Sequence, residues 1–204
     1  MKNIRILICL LTLIMAVGAC VKLDKPAADK RYYSISASRT GEPKPATGDL
    51  VIKVRRISIS DLYSTRELVY RMGDGRMESD FYNMFFVTPG NNLTSELRRW
   101  LRATGLFAHI IEPGSMVVPT LTLESVANKL YGDYSTETPA AVVSMQFFLV
   151  DESTAHNEIV FSKSYEQRVP IDAPEPALLV EGMTKGVQTI FRQLEQDMAA
   201  APLK

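Results

Sequence analysis

Cysteine and histidine are scarce in this 204-residue chain, with two of each. So few thiols and imidazoles put four-cysteine or mixed cysteine and histidine zinc sites, iron–sulfur clusters and a multi-bridge disulfide scaffold out of reach or nearly so. Charge of one sign is also lacking: 23 Lys+Arg stand against 23 Asp+Glu, with a pI near 6.7. Without a basic surplus, nucleic acid is not an expected partner. A phosphate-cradling loop is absent too, because Gly73-Asp74-Gly75 runs on into strand-like Arg76-Met77-Glu78 rather than a helix start. Ser58, Ser60, Ser64 and Ser79 lack a nucleophile-elbow context. His109 falls in an apolar run and His156 in a polar turn, neither with a ligand partner at metal spacing. Asp151, Glu152 and Glu175 are not paired by local spacing in an apolar setting that would split their pKa values. The expectation is a protein without catalysis, cofactor or metal, held by its apolar core: 46% of its residues are hydrophobic.

What is present begins at the N-terminus. Lys2 and Arg5 precede an uncharged apolar run from Ile6 to Val17, the layout of a secretory signal. Twelve residues of helix span roughly 18 Å, short of the roughly 30 Å hydrocarbon core, so a permanent transmembrane helix is the weaker reading. The run ends Val17-Gly18-Ala19-Cys20, which resembles the bacterial lipobox, whose Cys is acylated and becomes the first residue of the mature protein. The expected division is a lipoprotein signal peptide over 1–19, lipidated Cys20 and a tether over 20–31, and one domain over 32–204. Loss of Lys2 and Arg5 takes the basic count from 23 to 21 against 23 acidic residues, a formal charge of −2. Cys9 is lost as well, so acylation of Cys20 leaves no thiol for a disulfide or a nucleophile. Residue 21 is Val rather than the Asp that favours inner-membrane retention in enterobacterial sorting, which points to the periplasmic side of the outer membrane.

The rest alternates strand and helix signals. Tyr32–Ser36 reads as a first strand, 41–48 as a Gly- and Pro-rich loop, and Leu50, Ile52 and Val54 as a second strand. Arg55-Arg56 marks either a bulge or two solvated side chains at a strand end. An Asp-Gly turn at 73–75 predicts a hairpin. Phe81 to Val87 is the most aromatic stretch; it carries more large apolar side chains than one strand face can bury, so part of it is expected to face a partner. Leu93, Leu97, Trp100 and Leu101 recur at helical spacing, with Gly105 as the stop. Runs over 107–111, 120–131, 141–150 and 158–169 predict further strands, the last two as an antiparallel hairpin. A long helix follows Pro176, with Leu179, Met183, Val187, Ile190, Phe191, Leu194 and Met198 on one stripe and Gly182 and Gly186 placed for close packing on the sheet. The expected fold is α+β, a largely antiparallel sheet packed by two main helices.

The lipobox Cys, Tyr32-Tyr33 soon after the tether, Leu68-Val69-Tyr70-Arg71, the aromatic run ending at Thr88-Pro89, Leu93-Thr94 with Leu97 and Leu101, and Gly105-Leu106-Phe107 occur in order. Together they resemble the ABC-type transport auxiliary lipoprotein family, of the paraquat-inducible C and membrane-integrity-associated transporter subunit type. The resemblance covers essentially the whole mature chain; it departs where the family's Trp-rich phrase is replaced by Asn83-Met84-Phe85-Phe86-Val87. It implies an outer-membrane lipoprotein that works with an ABC transporter permease and ATPase and an MCE-domain protein carrying lipid across the periplasm. Self-association into a ring would continue such a conduit. Cys20 is then the anchor, and Tyr82, Phe85 and Phe86 the candidates for partner or lipid contact. The alternative is a stand-alone periplasmic lipid-binding or envelope-assembly lipoprotein.

Overall fold

The computed structural model describes residues 29–153 and 156–203. The signal segment, Cys20 and most of the tether lie outside the described residues. In chain order the strands are β1 (Arg31–Tyr33), β2 (Val51–Val54), β3 (Ser58–Ile59), β4 (Glu67–Met72) and β5 (Met77–Phe85), followed by helix α1 (Pro89–Arg102). Then come β6 (His109–Ile111), β7 (Leu121–Tyr134), β8 (Ala140–Asp151), β9 (Glu158–Pro170) and helix α2 (Pro176–Ala200).

The sheet is built on β7. Leu121, Leu123, Ser125 and Ala127 alternate onto the core side, and a register shift between Ala127 and Lys129 leaves exposed Asn128 as an extra residue. The bulge changes the phase of the alternation, so that Leu130 and Gly132 follow onto the same core side. One edge of β7 pairs antiparallel with β8 from Leu121↔Asp151 to Asp133↔Ala140, and β8 pairs antiparallel with β9. The other edge is filled by three short strands in turn: β2 at Ile52↔Leu121, β3 at Ser58↔Val126 and β4 at Tyr70↔Gly132, all parallel. Residues 51–72 thus run beside β7 as one interrupted strand. Beyond them, β4 turns at Gly75 (φ +84°) into antiparallel β5, β5 takes β1 in parallel, and β2 takes β6 in parallel.

The α+β class holds, and antiparallel ladders carry most of the paired residues. The expected picture omits the five parallel joints made by the short strands. For the three on β7 the cause is local: the 3-10 turn at Asp61–Tyr63 and the short links between β2, β3 and β4 never reverse the chain, so these strands keep the direction of β7. Arg55 and Arg56 are exposed at the end of β2.

Both helices cover the same face. Each has Pro at its first position, where the missing N–H has no helical partner to lose. The α2 stripe Leu179, Met183, Val187, Ile190, Phe191, Leu194 and Met198 is fully buried. It approaches the sheet closely at Gly182, where a Cβ would lie 2.8 Å from Ile171 Cγ2 and 2.9 Å from Ala141 Cβ. Leu93, Leu97, Trp100 and Leu101 bury the inner side of α1, and the Trp100 ring meets Phe191 edge-on at 5.8 Å. Trp100 Nε1 donates to Glu195 at 2.9 Å, and Arg39 pairs with the same carboxylate at 2.8 Å. The buried polar groups of α1 are used as well: Asn92 accepts from the Ile35 N–H and donates to the Ile35 carbonyl, while Thr94 Oγ1 accepts from the Ile57 N–H.

On the outer face of β7, neither α1 nor α2 provides the cover; the 3-10 turn at Asp61–Tyr63 and polar and aromatic side chains do. Tyr63 stacks on Tyr131 there, with centroids 5.7 Å apart, whereas Tyr70 and Tyr134, 5.1 Å apart, stack on the helix side next to Gly132. On the same face as Tyr131, Asp133, 1% exposed, accepts from Arg71 Nη2 of β4 at 2.6 Å, from Ser135 and from Arg168 of β9. Burial alone would raise the Asp133 pKa, but hydrogen bonds from Ser135, Arg71 and Arg168 outweigh it and hold the carboxyl well below its ordinary range.

Two outcomes follow from this packing. Gly182→Ala should lower stability by about 1–3 kcal/mol, read from urea denaturation, because the Ala141 Cβ it meets cannot move without the backbone. A depressed carboxyl pKa stabilises the fold above the unfolded value and loses that stabilisation as pH falls. The urea midpoint should therefore drop below about pH 4, and drop less steeply in Asp133→Asn.

Candidate functional site

The aromatic run ends as a bulge that places rings in solvent. Along the β4–β5 hairpin the register runs to Leu68↔Asp80 and resumes at Glu67↔Met84, so Phe81, Tyr82 and Asn83 have no residue opposite them. Asp80 organises this excursion. Its carboxylate accepts from the Tyr82 and Asn83 N–H groups, both at 2.9 Å, and from Asn83 Nδ2 and the Tyr70 hydroxyl, both at 2.8 Å. Burial works to raise the Asp80 pKa, and these four donors more than offset it, so the group stays ionised below the usual carboxylate range. With the backbone folded around Asp80, Phe81 and Tyr82 project outward, 60% and 47% exposed, edge to face at 5.3 Å.

A second ring pair lies where β5 meets β1. Phe86, 67% exposed, meets Tyr32 edge-on at 6.2 Å. The Arg66 guanidinium lies 5.3 Å from the Tyr32 ring centroid and donates from Nε to the Phe85 carbonyl at 2.9 Å. Lys30 Nζ sits 3.8 Å above the centre of the Phe81 ring. The edge thus combines four exposed rings with two cations held against them, the pairing expected where aromatic faces meet ammonium and guanidinium groups.

Of the three contact residues expected from the sequence, Tyr82 and Phe86 are on this surface. Phe85 is 2% exposed in the core, so it offers no side chain to a partner; the correction follows from the bulge, which resumes the strand with Met84 and Phe85 turned inward. Tyr32 and Phe81 are the exposed rings that sequence reasoning did not select. The signal for them was Asp80 followed at three residues by Asn83, a side-chain turn inside an apolar strand. Cys20, the expected anchor, lies outside the described residues.

Elsewhere, Met116, Val117 and Val118 form an exposed apolar tip between β6 and β7, 97%, 52% and 83% exposed. In a groove nearby, the lining side chains pair with one another: Lys53 with Glu152, Arg55 with Glu124, and Thr122 donates to Glu152. His109 and His156 are exposed, and among the described residues no three His, Cys, Asp or Glu converge as metal ligands. No helix among those residues is long and apolar enough to cross a membrane.

The model of the ABC-type transport auxiliary lipoprotein component family matches residues 33–195, and the chain belongs to that family. Membership makes it a membrane-anchored lipoprotein component of an ABC transport system, in a family of auxiliary components rather than enzymes. No curated protein matches the sequence. Among solved structures, the XCC0632 protein of Xanthomonas campestris shares the fold with a TM-score of 0.71 at 13% identity, over 81% of this chain and 92% of that one. The hypothetical protein CT253 of Chlamydia trachomatis shares it with a TM-score of 0.55 at 10% identity, over 75% of this chain and 99% of that one.

The bulge depends on one carboxylate. Asp80→Ala should cost roughly 1–3 kcal/mol in urea denaturation, because it leaves the Tyr70 hydroxyl and two backbone N–H groups without their charged acceptor.

Proposed function

We propose that this chain is the outer-membrane lipoprotein subunit of an MCE/ABC-type intermembrane lipid transport system, and that it receives the periplasmic conduit at the outer membrane. The observation that carries the reading is the placement of exposed apolar side chains at the two ends of one strand path. That path runs β1-β5-β4-β7-β2-β6, with the aromatic edge on β1 and β5 at one end and the Met116–Val118 tip directly after β6 at the other. A domain that worked alone would gain nothing by keeping both in water. Family membership supplies the transport system, and the Val17-Gly18-Ala19-Cys20 ending followed by Val21 supports acylation and outer-membrane sorting.

In this reading Cys20 fixes the domain to the membrane, the tether is followed at once by β1, and the far end of the path remains free for the MCE assembly. Self-association into a ring would give the conduit a matching rim. In this reading the domain contributes position rather than chemistry.

Native mass spectrometry of residues 21–204, alone and with the MCE partner, tests this. The expected result is a discrete ring-sized oligomer or a partner complex, weakened when Met116, Val117 and Val118 are changed together to Ser. A persistent monomer carrying a co-purified lipid, with no partner complex, would overturn it in favour of a stand-alone lipid-binding lipoprotein.

A further inference from the structure

We infer that the aromatic edge of β1 and β5 is a second, non-covalent membrane contact: Tyr32, Phe81, Tyr82 and Phe86 rest in the headgroup layer of the bilayer, with Lys30 and Arg66 directed to lipid phosphates. The inference rests on the anchored reading above and specifies which face of the domain meets the membrane.

Three observations carry it. The first is construction. Phe81 and Tyr82 are not loosely exposed; they are turned outward by a bulge whose carboxylate, Asp80, holds four donors. The second is chemistry. Aromatic rings with cations against them suit the bilayer interface, where the rings take the depth between water and acyl chain and the cations reach phosphate. The third is connection. Lys30 lies ten positions after Cys20, so the tether spans at most roughly 35 Å, and β1 is the first element among the described residues. The sequence from Val21 to Arg31 holds Lys22, Lys25, Lys30 and Arg31 against Asp24 and Asp29, a basic surplus that an anionic lipid surface attracts.

A lipid chain alone lets the domain tumble on its leash. Contact through this edge fixes its orientation and turns the β6 end of the path away from the membrane.

The test uses the full lipidated chain reconstituted in vesicles of phosphatidylethanolamine with a minor share of phosphatidylglycerol. Phe86→Trp and, separately, Val118→Trp introduce probes at exposed positions, and emission from Trp100, 2% exposed, is subtracted using the unsubstituted chain. The expected result is a blue shift and roughly twofold or greater quenching of the Phe86→Trp probe by brominated lipids, with the Val118→Trp probe unquenched. Changing Lys30 and Arg66 together to Glu should reduce the quenching. Equal, water-like emission from both probes overturns the inference. So does a Phe86→Trp shift that appears only when the MCE partner is added without vesicles, since that assigns the edge to a protein. Intact mass of the same preparation reports Cys20 acylation separately, and the probes decide the inference whichever way that result falls.

Discussion

A strand with a bare edge in a protein interior leaves a row of backbone N–H and C=O groups without partners, and β7 is where this fold meets that constraint. One edge is satisfied in a single stroke by β8, its partner across a short turn. The other edge is satisfied piecemeal by β2, β3 and β4 laid end to end. Every later placement depends on that second edge. Because β4 lies at the C-terminal end of β7, its hairpin carries β5 and β1 outward there; because β2 lies at the N-terminal end, β6 and the apolar tip are carried out at the opposite end.

The two faces of the sheet are held by different physics. Toward the helices the stabilisation is apolar burial and close approach, with glycine at the points where α2 comes nearest the backbone. On the open face, the Tyr63–Tyr131 stack and the Asp133 carboxylate do the same work without a covering helix layer. Arg71 and Arg168 reach that carboxylate from strands on opposite flanks of the β7–β8 pair, so one buried charge ties together segments almost a hundred residues apart in sequence. A buried carboxylate with a single arginine would be a poor exchange for water; two arginines and a serine hydroxyl satisfy it.

Much of this was legible in the sequence. Helical spacing in Leu93 to Leu101 and Leu179 to Met198 located both helices, and the runs over 141–150 and 158–169 located the antiparallel β8–β9 hairpin. Asp74-Gly75 marked the hairpin. Three features were not legible. Strands as short as β3 carry no periodicity to read, so their parallel pairing depends on β7, far along the chain. The phase change at Asn128 appears only when the partner strand is known. And simple alternation across Phe81 to Phe86 cannot show that Asp80 folds the backbone out of register. That is why Phe85, chosen as a surface residue, is core, while Phe81 is surface.

The attachment of β1 has a mechanical meaning. It joins the sheet through three parallel residue pairs, Arg31↔Asn83 to Tyr33↔Phe85, supplemented by the Tyr32–Phe86 ring contact and the Tyr33 hydroxyl donating to Asn83. The β7–β8 and β8–β9 ladders are four times as long. Any tension arriving along the N-terminal segment therefore loads this three-pair joint first. That joint can part and lengthen the leash while the long ladders and both helices stay intact, so the domain carries its own strain relief at the end where a pull would enter.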